Sequence, residues 1–300
     1  MEIISKQKDT AIGGGDVWLV KSKHVEDTFR VTITPSRGNV PDGKRFGVVL
    51  ATDAELSAGG LISTIRSCSL GFDLPFLFGV SIGYPLNADP PFALRRNRDL
   101  TPTTWDAFEK ATPALTGLSD HVATGHSDAF SEFIHDELLP DLADEFPIEP
   151  HDSTLTGQSF GGLFVLNELL NRPGRFRRYL AVSPSLWWDD GALLKSAPQL
   201  VKSAASPTAD VYMCVGELEN KARFRAQISQ LPEAMKNLLP SAMTQLDMAG
   251  DMFLMEKELG DWVGNTFSVE AHVFPEESHE SMMGSALSRG LRKLYKPKRV

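Results

Sequence analysis

The chain has 300 residues, 42 % of them hydrophobic and 23 % charged, with a net charge of −9 and a pI near 5.3. That balance specifies an ordered globular protein, and the acidity excludes nucleic acid as the principal partner, because phosphate binding needs a basic face. Two cysteines, Cys68 and Cys214, are too few for a disulfide framework, and no apolar run approaches the ~18 residues of a membrane span.

The first ten residues mix Glu2, Lys6, Lys8 and Asp9 without the apolar stretch of a signal peptide. A cytoplasmic location is expected, or a periplasmic one if a leader has been removed. Residues 1–28 read as an N-terminal extension with an edge strand at Asp16–Val20; Gly13-Gly14-Gly15 before it follows no strand and reads as a flexible connection. Phe29–Thr34 alternates apolar and polar positions, the pattern of a half-exposed antiparallel edge. From Phe46 onward the pattern changes. Short apolar runs at 46–50, 78–84, 153–156, 179–182, 210–215 and 267–274 are separated by helical stretches near 55–68, 127–145, 161–172, 190–203, 221–238, 247–264 and 279–295. Strands apolar on both sides, alternating with helices, predict an α/β fold: a mostly parallel central sheet with helices on both faces. No repeat or low-complexity linker divides it, so residues 1–300 are expected to form a single domain. The basic tail (Arg289, Arg292, Lys293, Lys296, Lys298, Arg299) suits the end of a C-terminal helix, where cations complement the dipole.

In such sheets, sites form at the carboxyl ends of the strands. Ser159 stands at one such junction, in Gly157-Gln-Ser-Phe-Gly161, between the apolar run 153–156 and the apolar helix Leu163–Leu170. A strained strand-to-helix turn that lifts a nucleophilic hydroxyl above the sheet needs small residues two before and two after the Ser. The pattern alone arises by chance in roughly one chain in eight, so the strand before and buried helix after carry the weight. A hydroxyl also needs a base, and the base an orienting acid. In chain order Ser–acid–His, only His272 and His279 follow Ser159. His272 lies inside a strand pattern; His279 lies in the loop after it and is the expected base. The acid is expected in Val215-Gly-Glu-Leu-Glu219, as Glu219 with Glu217 the alternate and Asp251 an outsider. The oxyanion donors would be the N–H groups of Phe160, after the nucleophile, and Ala54, in the loop after the run 46–50.

These residues resemble the putative-esterase family of α/β-hydrolases. Gly157-Gln-Ser-Phe-Gly-Gly162, Val215-Gly-Glu-Leu-Glu219 and Glu277-Ser-His279 resemble its catalytic segments; Arg98-Asp-Leu-Thr-Pro102, Phe130–Pro140 and Ser183-Pro-Ser-Leu-Trp-Trp188 resemble its other signatures. The likeness runs from about residue 29 to the C-terminus. It implies the α/β-hydrolase fold, Ser159 as nucleophile, His279 as base, Glu219 as acid and no metal or organic cofactor. Asp53-Ala54 departs from the Asp-Gly of many members, and a Cβ there is expected to narrow the approach to the oxyanion. The Arg-Asp-Leu-Thr-Pro and Gly-Glu-Leu-Glu combination is most similar to the ferric-siderophore esterase branch.

For substrate, Leu94-Arg-Arg-Asn-Arg-Asp99 near a strand end offers Arg95 and Arg98 to an anionic ester, against a purely structural Arg98–Asp99 ion pair. Trp187 and its neighbour Trp188 either wall an aromatic pocket or pack beneath it. No His-Glu-x-x-His or Cys-x-x-Cys occurs, and His121, His126 and His135 lack ligand spacing. The expected partner is a small-molecule ester, with no nucleic acid and no membrane. Three readings follow: a serine carboxylic-ester hydrolase working through an acyl-enzyme, an acyltransferase using the same triad, or a non-catalytic binding protein on the same fold.

Overall fold

In the computed structural model, residues 1–9, 14–37, 40–117, 123–262 and 266–296 are described; Gly13, His121, residues 263–264, Lys298 and Arg299, named above, lie outside them. In chain order the elements are β1 (Glu2–Asp9), β2 (Gly15–Lys21), β3 (Thr28–Pro35), β4 (Phe46–Ala51), α1 (Ala54–Leu70), β5 (Leu77–Gly83), α2 (Phe92–Leu100), α3 (Asp106–Thr116), α4 (Ser127–Glu132), a π-helical turn (Phe133–Leu138) and α5 (Leu139–Glu145). Then come β6 (Ile148–Gln158), α6 (Phe160–Asn171), β7 (Arg178–Val182), α7 (Trp188–Ser203), β8 (Ala209–Gly216), α8 (Lys221–Ser229), α9 (Glu233–Lys236), a 3-10 turn (Ser241–Gln245), α10 (Met248–Leu259), β9 (Phe267–Phe274) and α11 (Met282–Leu294).

The nine strands form one sheet in the order β1-β2-β3-β5-β4-β6-β7-β8-β9. Strands β1, β2 and β3 run antiparallel, as does β3 against β5, and every later pairing is parallel. Alternate side chains of the parallel strands point to opposite faces. Val48, Leu50, Tyr179, Ala181, Val211 and Met213 join the larger core, packed with α6, α7 and α10. Val49, Ala51, Leu180, Val182, Tyr212 and Cys214 join the smaller one, covered by α1 and α11. Both faces are therefore dry, which is why these runs show no polar alternation. Each fully buried Leu or Val contributes about 1.5–3 kcal/mol by leaving water.

The strands Asp16–Val20 and Phe29–Thr34 are antiparallel, but neither is an edge: β2 lies between β1 and β3, and β3 between β2 and β5. The edge is β1, exposed along nearly its whole length, which carries no apolar stripe by which a sequence reading would find it. Residues 1–28 thus extend the sheet. The stretch 127–145 is not one regular helix: Pro140 has no N–H for the ladder, and the chain widens into a π turn immediately before it. Pro232 likewise separates α8 from α9 within the expected 221–238 helix. Helices α2 and α3 went unread, the first because Arg95, Arg96, Asn97, Arg98 and Asp99 break its apolar pattern, the second because Pro113 sits inside it. Among the described residues no helix is long and apolar enough to cross a membrane. Both cysteines are free, and burial, then the nearby Glu219 charge, push the Cys214 thiol well up.

Candidate active site

Ser159 caps α6 at φ 62°, ψ −117°, between the end of β6 and the helix. A non-glycine residue in that region is strained, and it persists only where neighbours over-determine it. Here Ser159 N–H donates to Val182 O at 3.0 Å, while Ser159 O accepts from Leu163 N and Ser185 N. The flanking glycines are forced by close approach. A Cβ on Gly157 would stand 2.6 Å from the Gly161 carbonyl and from Thr52 Oγ1, and one on Gly161 would stand 2.4 Å from Thr52 Oγ1. The β4–α1 loop therefore lies directly on the Ser159 turn.

His279 follows β9. Its Nδ1 is 2.6 Å from Glu219 Oε2. Glu219 is 1 % exposed, and its other oxygen, Oε1, accepts from Ser183 Oγ at 2.6 Å and from Gly216 N–H at 2.7 Å. Glu217 is exposed, and its carboxylate accepts from the Glu276 N–H at 3.0 Å, away from the imidazole. Two main-chain bonds hold the loops together: Glu217 N–H to Phe274 O at 2.9 Å and Leu218 N–H to Glu277 O at 3.0 Å. That closeness explains Gly216, where a Cβ would meet Glu277 O at 2.2 Å.

Ser159 and His279 open on one cavity of about 510 Å³. The Gln158 side-chain amide donates to His279 O and ties the imidazole loop to the turn. Ser159 Oγ itself lies 3.2 Å from Ser185 Oγ, and no Ser159–His279 hydrogen bond forms among the described residues. Hydroxyl–imidazole bonds in unliganded sites commonly tighten only with substrate, and a rotation about Cα–Cβ redirects the oxygen. The N–H groups of Phe160 and Ala54 begin α6 and α1, at the carboxyl ends of the paired strands β6 and β4, and neither has a hydrogen-bond partner among the described residues. The first amides of a helix are left without carbonyl partners by helix geometry and carry its positive dipole end. The Ala54 methyl group faces Gly83, whose own Cβ would lie 2.8 Å from it; it does not narrow the cavity as expected.

The arginines are distributed differently from the expectation. Arg95 bonds Asp27, Pro90 O and Asp89 O, and Arg98 bonds Asp27 and Asp99, whose other contact is the Tyr84 hydroxyl. Burial raises the Asp27 carboxyl, but hydrogen bonds from Arg98 and the Thr28 N–H, with the Arg98 and Arg95 charges, hold it below its ordinary range. Neither arginine lines the cavity. Arg96 does, because arginines one and two residues apart on a helix point in different directions, and of the three only this one faces the cavity. Its guanidinium forks onto Asp53 at 2.7 and 2.9 Å and lies over the Phe160 ring at 5.2 Å. Burial opposes the Arg96 charge, but the adjacent Asp53 carboxylate outweighs it and keeps the guanidinium above its ordinary pKa. Asp53 holds φ 54°, a left-handed turn that aims the next residue, Ala54.

Trp188 is packing: it is 1 % exposed, with its Nε1 on Thr103. Trp187 is half-buried against Trp105, Phe160 and Trp188, outside the cavity wall. The apolar wall is Leu56, Phe92, Ala93, Phe108 and Met283, with Thr52, Ser57, Asn97, Gln158 and Glu280 among its polar points. Phe92 and Arg96 lie on a helix unread in the sequence, and Phe108 on another. His272, on β9, packs edge-on against Phe274. Asp251 sits in the first turn of α10, and burial followed by the Asp247 charge pushes its carboxyl up to about 6. A carboxyl raised on folding contributes stability below its unfolded pKa and loses it as pH rises through about 6. Asp251→Asn should therefore gain stability relative to wild type between pH 4 and 7, a trend read from melting temperatures across that range. Among the described residues no cluster of three His, Cys, Asp or Glu side chains has the arrangement of a metal site.

A family model described as "Putative esterase" matches residues 113–243. The chain is 28 % identical over 228 residues to the ferri-bacillibactin esterase BesA of Bacillus subtilis, an overlap of 74 % of this chain and 77 % of that protein. It is 30 % identical over 217 residues to a siderophore triacetylfusarinine C esterase of Aspergillus fumigatus, covering 71 % and 68 % of the two. The siderophore hydrolase EstA from Aspergillus nidulans superposes with a TM-score of 0.75 over 97 % of both chains at 24 % identity, which shows the shared fold. An α/β-hydrolase sheet and relatives of this likeness and coverage place the chain in the putative-esterase family, as a carboxylic ester hydrolase of its siderophore-esterase branch.

Proposed function

We propose that this protein hydrolyses a siderophore-type ester through an acyl-enzyme on Ser159, with His279 as general base and Glu219 as the acid that orients it. The observation that carries this reading is the 2.6 Å contact between His279 Nδ1 and buried Glu219, beside the strained turn that presents Ser159 to the same cavity. Glu219 accepts a hydrogen bond from the Nδ1–H, which keeps that proton on Nδ1 and leaves Nε2 free to take the Ser159 proton as Oγ attacks the ester carbonyl. Negative charge then develops on the carbonyl oxygen, for which the Phe160 and Ala54 amides are the donors. Collapse expels the alcohol, protonated by His279, and water repeats the cycle on the acyl-enzyme.

An ester whose acyl or alcohol part is aromatic suits the walls supplied by Phe92 and Phe108. The named substrates of the relatives are siderophores, which supports the same class here. Covalent labelling tests the reading. A fluorophosphonate should attach to the wild type with one equivalent per chain and not to Ser159→Ala, and a panel with a cyclic polyester siderophore, a feruloyl ester and a formyl thioester should show fastest turnover of the first. No labelling of the wild type would favour a binding protein. Product acylated on an added alcohol in excess of free acid would favour a transferase.

A further inference from the structure

We infer that Ser183, at the carboxyl end of β7, is a positioning residue for the acid of this site. The inference rests on the reading of Glu219 as that acid. Glu219 carboxylate is enclosed: it is 1 % exposed, so water does not supply its hydrogen bonds. Its carboxylate oxygens are bonded by the Ser183 hydroxyl and the Gly216 N–H on Oε1, and by His279 Nδ1 on Oε2. Two donors on one oxygen fix the plane and rotation of the carboxylate, and leave the other oxygen aimed at the imidazole. Of the two, only Ser183 comes from outside the acid's own loop. Ser183 is itself fully buried, and its N–H is bonded to Cys214 O at 2.7 Å, on the strand that ends at the acid's loop. The hydroxyl is therefore delivered from a neighbouring strand whose position does not depend on the loop it steadies.

The backbone at Ser183 is left-handed, with φ 42°. A residue kept there at a conformational cost, fully buried and spending its only hydroxyl proton on a carboxylate, is held for that bond. The other titratable groups on the adjoining segments do not bond the Glu219 side chain: Glu217 beside Gly216 and Glu277 and Glu280 on the loop before α11 have partners of their own, and the Cys214 thiol on β8 is kept neutral by burial. The hydroxyl is thus the side-chain donor that disperses the carboxylate's charge. Without it the negative charge concentrates on Oε2 and holds a proton on the imidazole more firmly.

The turn also distinguishes a backbone effect from a hydroxyl effect. Alanine keeps the Cβ of serine and with it the backbone cost of φ 42°, whereas glycine relieves that cost; both lack the hydroxyl. Ser183→Gly and Ser183→Ala should both lower kcat by about 10- to 100-fold with KM little changed, and both should move the acid limb of the pH–kcat/KM profile to higher pH. Loss in the glycine variant alone, with the alanine variant at wild-type rate, would assign Ser183 a backbone role and overturn the inference. Wild-type kcat and an unmoved acid limb in both would overturn it as well. Ser159→Ala, run beside them, separates the two levels: if it retains hydrolysis, the triad reading fails; if it is inactive while both Ser183 variants match wild type, only the positioning role fails.

Discussion

Glu219→Gln should lower kcat by about 10⁴-fold while the protein stays folded. The size follows from the donors around the side chain. Ser183 Oγ and Gly216 N–H both point at Oε1. A glutamine at 219 turns its carbonyl oxygen to those two groups, because its NH₂ group there would face the Gly216 N–H, which can only donate. The NH₂ group then faces His279 Nδ1, which becomes the acceptor. The imidazole is driven into the tautomer that carries its proton on Nε2, and a base already protonated at that nitrogen takes nothing from Ser159. Glu217→Gln is the paired control. Glu217 is exposed and only accepts a bond from the Glu276 N–H, a role an amide oxygen fills equally well, so kcat should stay within about a factor of 2. Turnover of a chromogenic ester, with circular dichroism to establish folding, reads both. The reverse ordering of the two variants would reassign the acid.

The second large effect is expected at Asp53. Asp53→Ala should cost about 3–5 kcal/mol of stability, because it leaves the Arg96 guanidinium buried without its counter-ion. The Arg96 and Asp53 side chains are only 14 % and 6 % exposed, so water does little to replace the lost partner. Arg96→Met on the same background removes the orphaned charge and should recover most of that loss, since an apolar pair of similar volume is often as stable as a buried ion pair. Activity should not recover with it. Asp53 holds the left-handed turn before Ala54, and its Oδ2 lies 3.2 Å from where a Gly161 Cβ would be. The ion pair thus braces the β4–α1 loop against the Ser159 turn. With the brace gone, the double variant should fall toward the 10²–10³-fold deficit of a lost oxyanion donor. Urea denaturation and steady-state kinetics on the single and double variants read the two quantities separately. A single variant that loses less than about 1 kcal/mol would mean the pair is screened like a surface bridge.

The fold class was legible because the runs 46–50, 179–182 and 210–215 have no polar alternation, and only a parallel sheet covered on both faces tolerates that. The glycines at 157 and 161 were legible as well, since each is a place where a neighbouring segment approaches too closely for a Cβ. The exposed strand β1 was not, because pairing through main-chain bonds leaves no mark on side chains that face water. Helices α2 and α3 were missed for a related reason. The Arg95–Arg96–Asn97–Arg98–Asp99 run is charged because its partners Asp27, Asp53 and Asp99 neutralise it, and two of those lie over forty residues away.

That separation divides the protein's determinants. Local sequence decided the apolar strands β4 to β9 and where the chain turns sharply enough to present a hydroxyl, because those are set by neighbours within a few residues. Tertiary structure alone decided that Arg96 rather than Arg95 or Arg98 faces the cavity and that Ser183 stands behind the acid, and it brought Glu219, already expected ahead of Glu217, to His279. Each of those choices between near neighbours depends on a rotation of a helix or a turn of about one residue, and that rotation is fixed by what packs against it from elsewhere in the chain.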